Sequence, residues 1–113
     1  MRVIRFRGKC KLLGRWMFGS LYIKKNGKIY INSTEVHPES VGQFTGLKDK
    51  NGVLIYEGDV VSSFADVFRT KVQWNEYQAG WSPFGDERTS FVAEESEVIA
   101  DIYDCPFLLK EES

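Results

Sequence analysis

The sequence predicts a mainly β fold. Two Asn-Gly pairs, Asn26-Gly27 and Asn51-Gly52, lie between short runs of β-branched, aliphatic and aromatic residues, a pattern typical of β-hairpins. Apolar residues alternate along these runs, and no stretch longer than a turn or two has helical periodicity. Short strands joined by frequent tight turns favour a small barrel or sandwich. We therefore predict a small SH3-like barrel with an N-terminal β-hairpin extension.

Residues 1–40 are predicted to form the N-terminal β-hairpin lobe. Its extended segments are residues 2–6, residues 15–23 with a break near Gly19-Ser20, and residues 28–32. The segments 20–24 and 28–32 flank the Asn26-Gly27 pair, so we expect them to form a hairpin. Pro38 interrupts the connector that follows.

Residues 41–113 are predicted to form the SH3-like barrel. Asn51-Gly52 indicates a type I′ turn, because both residues tolerate positive φ. Glu57-Gly58-Asp59 indicates another turn, in which an aspartate commonly accepts hydrogen bonds from nearby backbone N–H groups. The strands predicted here are residues 43–47, 53–56, 59–64, 69–74 and 98–103, with Val72 and Trp74 on one face. Shorter elements expected are a strand at 90–92, a helical turn at 93–96, and a hydrophobic clasp formed by Phe107 to Leu109 after Pro106.

Two blocks of this sequence resemble the signature blocks of the YopX family. Residues 41–61 read VGQFTGLKDKNGVLIYEGDVV, and residues 97–109 read EVIADIYDCPFLL. The opening IRFRG, residues 4–8, is also similar to the start of that family. The departures from the family pattern are Ala100, Asp101, Cys105 and Phe107. The resemblance implies a small protein encoded by a bacteriophage or prophage, and it implies no catalytic or binding role for any particular residue.

Cysteine and histidine content argues against a metal site. Cys10 and Cys105 are far apart and form no C-x-x-C pair, and His37 is the single histidine. We expect no metal and no other cofactor. The N-terminus has no signal-peptide pattern, and no apolar run approaches the roughly 20 residues of a membrane helix. We therefore expect a protein of the bacterial cytoplasm, with free thiols and no membrane partner.

Charge is distributed unevenly along the chain. Residues 1–50 carry eleven Lys or Arg against three acids, a net charge of +8. Residues 51–113 carry four against thirteen, a net charge of −9. Such a division indicates either an interaction face or two halves that neutralise each other, and the sequence leaves both interpretations open.

The basic N-terminal segment is a candidate nucleic-acid-binding region. Residues 1–28 hold nine Lys or Arg and no acid, interleaved with aromatic residues that include Trp16 and Tyr22. Phosphates attract cations, and single strands stack on aromatic rings. The residues predicted to make these contacts are Arg5, Arg7, Lys9, Lys11 and Arg15.

A second candidate is a protein-interaction surface. Trp74, Trp81 and Phe84 cluster around Pro83 in a Gly-flanked segment, and aromatic residues dominate interface hot spots. Core packing is the structural alternative for each of them. Edge strands of a small β protein also pair readily with other copies, so a homo-oligomer and contact with a host or phage protein are expected.

Catalytic patterns are weak in this chain. The paired carboxylates Glu57 and Asp59 fit a turn, Cys10 lies in a basic stretch without a placed base, and Asp49 to Gly52 lacks the later ligands of a calcium loop. We therefore predict no enzymatic activity. The leading interpretation is a binding or assembly module that self-associates. The alternative is a nucleic-acid-binding accessory protein that uses its basic N-terminal lobe.

Overall fold

The computed structural model describes residues 4–62, 69–77, 79–84 and 92–104. The chain divides into two compact units, residues 1–44 and residues 45–113. The boundary predicted from the sequence lies between residues 40 and 41. No helix in the described ranges is long and apolar enough to cross a membrane.

Five strands and the start of a sixth form the first unit. They are β1 (Phe6–Lys9), β2 (Trp16–Gly19), β3 (Leu21–Ile23), β4 (Ile29–Ile31), β5 (Thr34–Val36) and β6 (Gly42–Lys48), with a 3₁₀ turn at Pro38–Ser40. The antiparallel β1–β2 pair aligns Gly8 with Met17, and the β3–β4–β5 sheet aligns Tyr22 with Tyr30. The first strand is displaced from the predicted residues 2–6, of which residues 2 and 3 lie outside the described residues. The predicted break near Ser20 and the hairpin across Asn26-Gly27 are confirmed.

The buried centre of the first unit lies between β1 and the β3–β4–β5 sheet. Ile31 and Val36 are fully buried there. Gly8 lies against them, since a Cβ on Gly8 would come within 2.9 Å of Val36 Cγ2 and 3.0 Å of Ile31 Cδ1. The N–H of Lys9 donates to Ser40 Oγ at 2.7 Å, which fixes the 3₁₀ turn to β1. Close packing around a glycine thus selects which residues form the first strand.

Six further strands follow β6 in the part of the second unit that the structure describes. They are β7 (Leu54–Tyr56), β8 (Asp59–Ser62), β9 (Arg69–Lys71), β10 (Gln73–Asn75), β11 (Gly80–Ser82) and β12 (Glu97–Asp101), with a 3₁₀ turn at Ala93–Glu95. The described sheets of the chain have the orders β2-β1-β6-β7, β3-β4-β5, β12-β8-β9 and β10-β11. The core of the second unit contains Ile55, Val61, Val72, Phe84 and Ala93.

The mainly β prediction is confirmed, and the SH3-like barrel stays a prediction, because none of the described sheets closes on itself. The predicted single strand 69–74 is wrong. It is broken at Val72, whose N–H donates to the carbonyl of Asp59 and whose carbonyl accepts from Gly58. The helical turn predicted at 93–96 is confirmed. The clasp at residues 107–109 and most of the strand predicted at 90–92 lie outside the described residues.

Both Asn-Gly hairpins have the same turn, and it is not type I′. Gly52 has a φ of +81° and Gly27 a φ of +86°, whereas the preceding asparagines keep a negative φ. Gly52 N–H donates to the carbonyl of Asp49, and Asp49 N–H donates to the carbonyl of Val53. This is a type I turn followed by a left-handed glycine, the common three-residue hairpin. Only the glycine of each pair needs positive φ, so the type I′ prediction is wrong.

Candidate interaction surfaces

On one face of the β1–β2 hairpin, two cationic side chains lie over the indole ring of Trp16. The antiparallel register aligns Arg7 with Phe18 and Lys9 with Trp16, so these four side chains share a face. The Arg7 guanidinium lies 4.4 Å from the centroid of the Trp16 ring, and the Lys9 ammonium lies 4.5 Å from it. Both distances are typical of cation–π contacts. Trp16 therefore holds Arg7 and Lys9 in defined positions.

The five cations predicted to bind nucleic acid are placed differently from one another. Arg5 and Arg15 are exposed. Arg7 is only 9% exposed, which leaves its guanidinium little access to an external phosphate. Lys11 makes an ion pair with Glu35, with 3.0 Å between Lys11 Nζ and Glu35 Oε2. The structure thus brings Arg7 and Lys9 together on Trp16 and ties Lys11 to β5.

The β3–β4 hairpin carries an aromatic pair that the site prediction did not include. Tyr22 and Tyr30 are directly opposite each other in the register, and Tyr22 is 63% exposed. The Lys24 ammonium lies 4.3 Å from the centroid of the Tyr30 ring. The predicted hairpin already implied that Tyr22 and Tyr30 are opposite each other, because pairing residues 20–24 with 28–32 around a three-residue turn aligns the two tyrosines.

In the second unit, β10 and β11 carry the two tryptophans predicted to bind protein. Trp74 lies opposite Trp81, and their rings meet edge to face with centroids 5.1 Å apart and an interplanar angle of 76°. Trp81 is partly buried against the core, whereas Trp74 is 43% exposed. Phe84 belongs to the core itself, so its side chain is not part of an exposed patch. The prediction of Val72 and Trp74 on one face is wrong as well, since Val72 is fully buried.

Tyr77 completes the exposed aromatic surface of the β10–β11 hairpin. Its side chain is fully exposed in the connection between the two strands. The Tyr77 N–H donates to Asn75 Oδ1 at 2.9 Å, which fixes the start of that connection. We call Trp74 and Tyr77 the aromatic edge. The sequence prediction included Trp74 but not Tyr77, although a tyrosine just after the strand predicted at 69–74 was a usable signal.

The carboxylates of Asp59 and Asp49, which belong to the catalytic and calcium-loop patterns considered above, have structural roles. Asp59 is buried, and its Oδ2 accepts a hydrogen bond from the Tyr56 N–H at 2.8 Å, as expected for that turn. Asp49 is also buried, and its Oδ1 accepts from the N–H groups of Asn51 and Val53. The described residues contain no cluster of three or more His, Cys, Asp or Glu side chains that could hold a metal ion. Cys10 is buried, and its Sγ accepts from the Leu13 N–H.

The two units carry opposite charge. Residues 1–44 hold nine Lys or Arg against two acids, a net charge of +7, and residues 45–113 hold six against fourteen, a net charge of −8. Glu35 is one of the two acids of the first unit. The hydrogen bond from Lys11 lowers the pKa of Glu35, with smaller coulombic contributions from Lys11, Lys28 and His37. The acid is therefore ionised and paired at neutral pH.

Comparison with known proteins gives a family match and a structural neighbour. The family model described as YopX protein matches residues 18–110. The crystal structure of protein EF1440 from Enterococcus faecalis is similar, with a TM-score of 0.59 over 96% of this chain and 99% of that chain. Sequence identity between the two is 21%, so the likeness concerns the fold alone. No curated protein matches this chain.

Proposed function

The chain belongs to the YopX family, and we propose that it is a non-enzymatic binding or assembly module that associates with copies of itself. The proposal extends to a phage or prophage origin, to action in the bacterial cytoplasm, and to a host or phage protein as a further partner. The SH3-like barrel predicted for residues 41–113 remains part of the proposal.

The observation that carries self-association is the aromatic edge. Trp74 stays 43% exposed although the edge-to-face contact with Trp81 fixes its ring. Tyr77 is fully exposed a few residues further along the same hairpin. Rigid, exposed tryptophan and tyrosine side chains bury a large apolar area with little loss of conformational entropy, which makes them common anchors of protein interfaces. Trp74 and Tyr77 are therefore the anchors we assign to the contact between copies.

The opposite charges of the two units support the same proposal. A unit with net charge +7 in one copy attracts a unit with net charge −8 in another, since electrostatic complementarity steers association and fixes orientation. Such a contact either closes as a twofold dimer, in which the first unit of each copy contacts the second unit of the other, or repeats head to tail.

Sedimentation velocity of the purified protein tests this proposal. We expect oligomers in the absence of nucleic acid, and we expect them to persist at high salt because the anchors are apolar. Trp74→Ala and Tyr77→Ala should each shift the distribution toward the monomer. Tyr22→Ala is the matched control, since it removes an exposed tyrosine from the other unit. A protein that is monomeric at every concentration tested would contradict self-association, and an oligomer insensitive to both variants would show that the contact lies elsewhere.

Nucleic-acid binding by the first unit is a second candidate function. Its support is the run of nine Lys or Arg without an acid in residues 1–28, together with the exposure of Arg5 and Arg15. Cations in this density neutralise phosphates and release counterions, so binding would weaken steeply as salt rises. Arg7 is better suited to holding the Trp16 ring than to contacting phosphate, because it is buried.

Charge reversal at the exposed cations tests the second candidate. We expect Arg5→Glu with Arg15→Glu to abolish co-purification of material that absorbs at 260 nm. The control is Lys48→Glu with Lys71→Glu, which makes the same change of charge in the second unit. If both pairs of substitutions reduce binding equally, net charge alone accounts for it and the first unit is not a specific site.

A further inference from the structure

The β3–β4–β5 sheet has an outer face that combines aromatic rings with cations. Tyr22 and Tyr30 stand side by side across β3 and β4, and Lys24 lies over the Tyr30 ring at 4.3 Å. They line an open cleft of about 560 Å³, whose polar edge is formed by Ser20, Asn32 and Ser33. The described residues that line this cleft include no acid. We call this surface the tyrosine platform.

Glu35, an acid next to the platform, is already paired. Glu35 lies opposite Tyr30 in the β4–β5 register, so its side chain extends the row of Tyr22 and Tyr30. Its carboxylate accepts from Lys11 Nζ at 3.0 Å, and this contact lowers the pKa of Glu35. Lys24 therefore borders the tyrosines with positive charge at one side, and Lys11 neutralises Glu35 at the other. A ligand that fits this face has planar apolar groups and carries negative charge.

We propose that the tyrosine platform binds single-stranded nucleic acid, with bases stacked on Tyr22 and Tyr30 and phosphates near Lys24. This inference rests on the second candidate function and gives it a site and a ligand class. Neighbouring cross-strand rings offer successive stacking surfaces, and stacking on aromatic rings does not depend on base identity. A duplex keeps its bases paired and stacked inside, so its contacts with this face are limited to phosphate. The platform therefore distinguishes single strands from duplexes.

Fluorescence anisotropy with a labelled oligothymidylate and a duplex of equal length tests the proposal. We expect the single strand to bind more tightly than the duplex. The logarithm of the binding constant should fall linearly with the logarithm of the salt concentration. Tyr22→Ala should weaken single-strand binding about tenfold, the lower part of the range for losing one stacked base. Tyr22→Phe keeps the ring and should bind like wild type. Val53→Ala, which trims an exposed apolar side chain in the second unit, should leave the affinity unchanged.

The outcomes separate this proposal from the function on which it rests. Equal binding of single strand and duplex, unaffected by Tyr22→Ala, would overturn the tyrosine platform and leave nucleic-acid binding by the basic unit in place. Absence of binding to either probe would overturn both. Because Tyr22 is exposed, its substitution should not prevent folding, and circular dichroism of each variant checks this.

Discussion

The carboxylate of Asp49 joins the two sequence blocks that resemble the YopX signature, by accepting a hydrogen bond from the Val98 N–H at 3.0 Å. The contact spans 49 residues and connects the turn after β6 to the start of β12. Asp49 Oδ1 also accepts from Asn51 and Val53 at 2.8 and 2.9 Å. Next to it, Lys50 N–H donates to the carbonyl of Ser96. A residue that resembles a calcium ligand in sequence is thus a structural acceptor for three backbone N–H groups.

Replacing Asp49 should destabilise the protein more than any surface carboxylate would. Asp49→Ala leaves three backbone donors without their acceptor, and we expect a loss of about 3 kcal/mol in the free energy of unfolding. Asp49→Asn keeps one acceptor oxygen and should lose less. Urea denaturation measures both values. Glu76→Ala, at an exposed position, is the control and should change stability little. Equal, small effects of Asp49→Ala and Glu76→Ala would contradict the structural role of Asp49.

The Asn51-Gly52 turn gives a prediction about backbone conformation alone. Gly52 has a φ of +81°, and a Cβ added there would meet nothing within 4 Å. The Cβ of Gly52→Val therefore meets no neighbouring atom, and the cost we expect is that of the left-handed backbone conformation, about 1–3 kcal/mol for a β-branched residue. Gly52→Asn should cost less, because asparagine tolerates this region. A thermal melt within a degree of wild type for Gly52→Val would show that the turn geometry is wrong.

Gly27 provides an internal replicate of that experiment. It occupies the same place in the Lys24–Lys28 turn, with a φ of +86° and no neighbour within 4 Å of an added Cβ. Gly27→Val should therefore lower the melting temperature in the same direction and for the same reason. If one substitution is costly and the other is neutral, the two hairpins contribute differently to folding despite their identical geometry.

The sequence located both hairpins but could not specify their turn type. An Asn-Gly pair is compatible with a type I′ turn and with a type I turn followed by a left-handed glycine. Which of them forms depends on where the strands close, and here Asp49 pairs with Val53 and Lys24 with Lys28. At Asp49, the side chain further favours the observed turn by accepting from the Asn51 N–H. Such contacts are not visible in the local pattern of apolar residues.

Other differences from the sequence prediction have long-range causes. Alternation within residues 69–74 predicted Val72 and Trp74 on one face, but Val72 accepts a hydrogen bond from the Gly58 N–H and donates one to the Asp59 carbonyl, and these contacts break the strand. Val72 enters the core and Trp74 stays exposed as a result. The sequence identified the candidate cations and tryptophans from their side-chain chemistry alone. It could not show that Arg7 and Phe84 are buried, because burial depends on the packing of distant strands.

The position of β1 depends on a close contact that leads to a packing prediction. A Cβ at position 8 would lie 2.9 Å from Val36 Cγ2 and 3.0 Å from Val36 Cβ, closer than real Cβ contacts allow. Gly8→Ala should therefore destabilise the first unit by about 1–3 kcal/mol through overpacking. Val36→Ala removes Val36 Cγ2, the nearest of the atoms that this Cβ would meet. We expect the double variant Gly8→Ala/Val36→Ala to be more stable than the sum of the single effects predicts, and a double-mutant cycle by urea denaturation measures this coupling. Strict additivity would mean that β1 does not pack on Val36.

The Lys11–Glu35 ion pair makes stability depend on pH in a defined direction. The hydrogen bond from Lys11 lowers the pKa of Glu35 in the folded protein, so folding favours the ionised carboxylate. The contribution is present at pH values above the ordinary pKa of a glutamate, and it is lost as the pH falls through the lowered folded pKa. Glu35→Gln should therefore melt below wild type at neutral pH, and the two melting temperatures should converge in acid. Glu76→Gln, at an exposed position of the second unit, is the control for an acid without such an ion pair among the described residues. A gap between wild type and Glu35→Gln that stays constant from neutral to acidic pH would contradict an electrostatic role for the pair. It would also weaken the inference that Lys11 neutralises Glu35 next to the tyrosine platform, because that neutralisation depends on the contact between the two side chains.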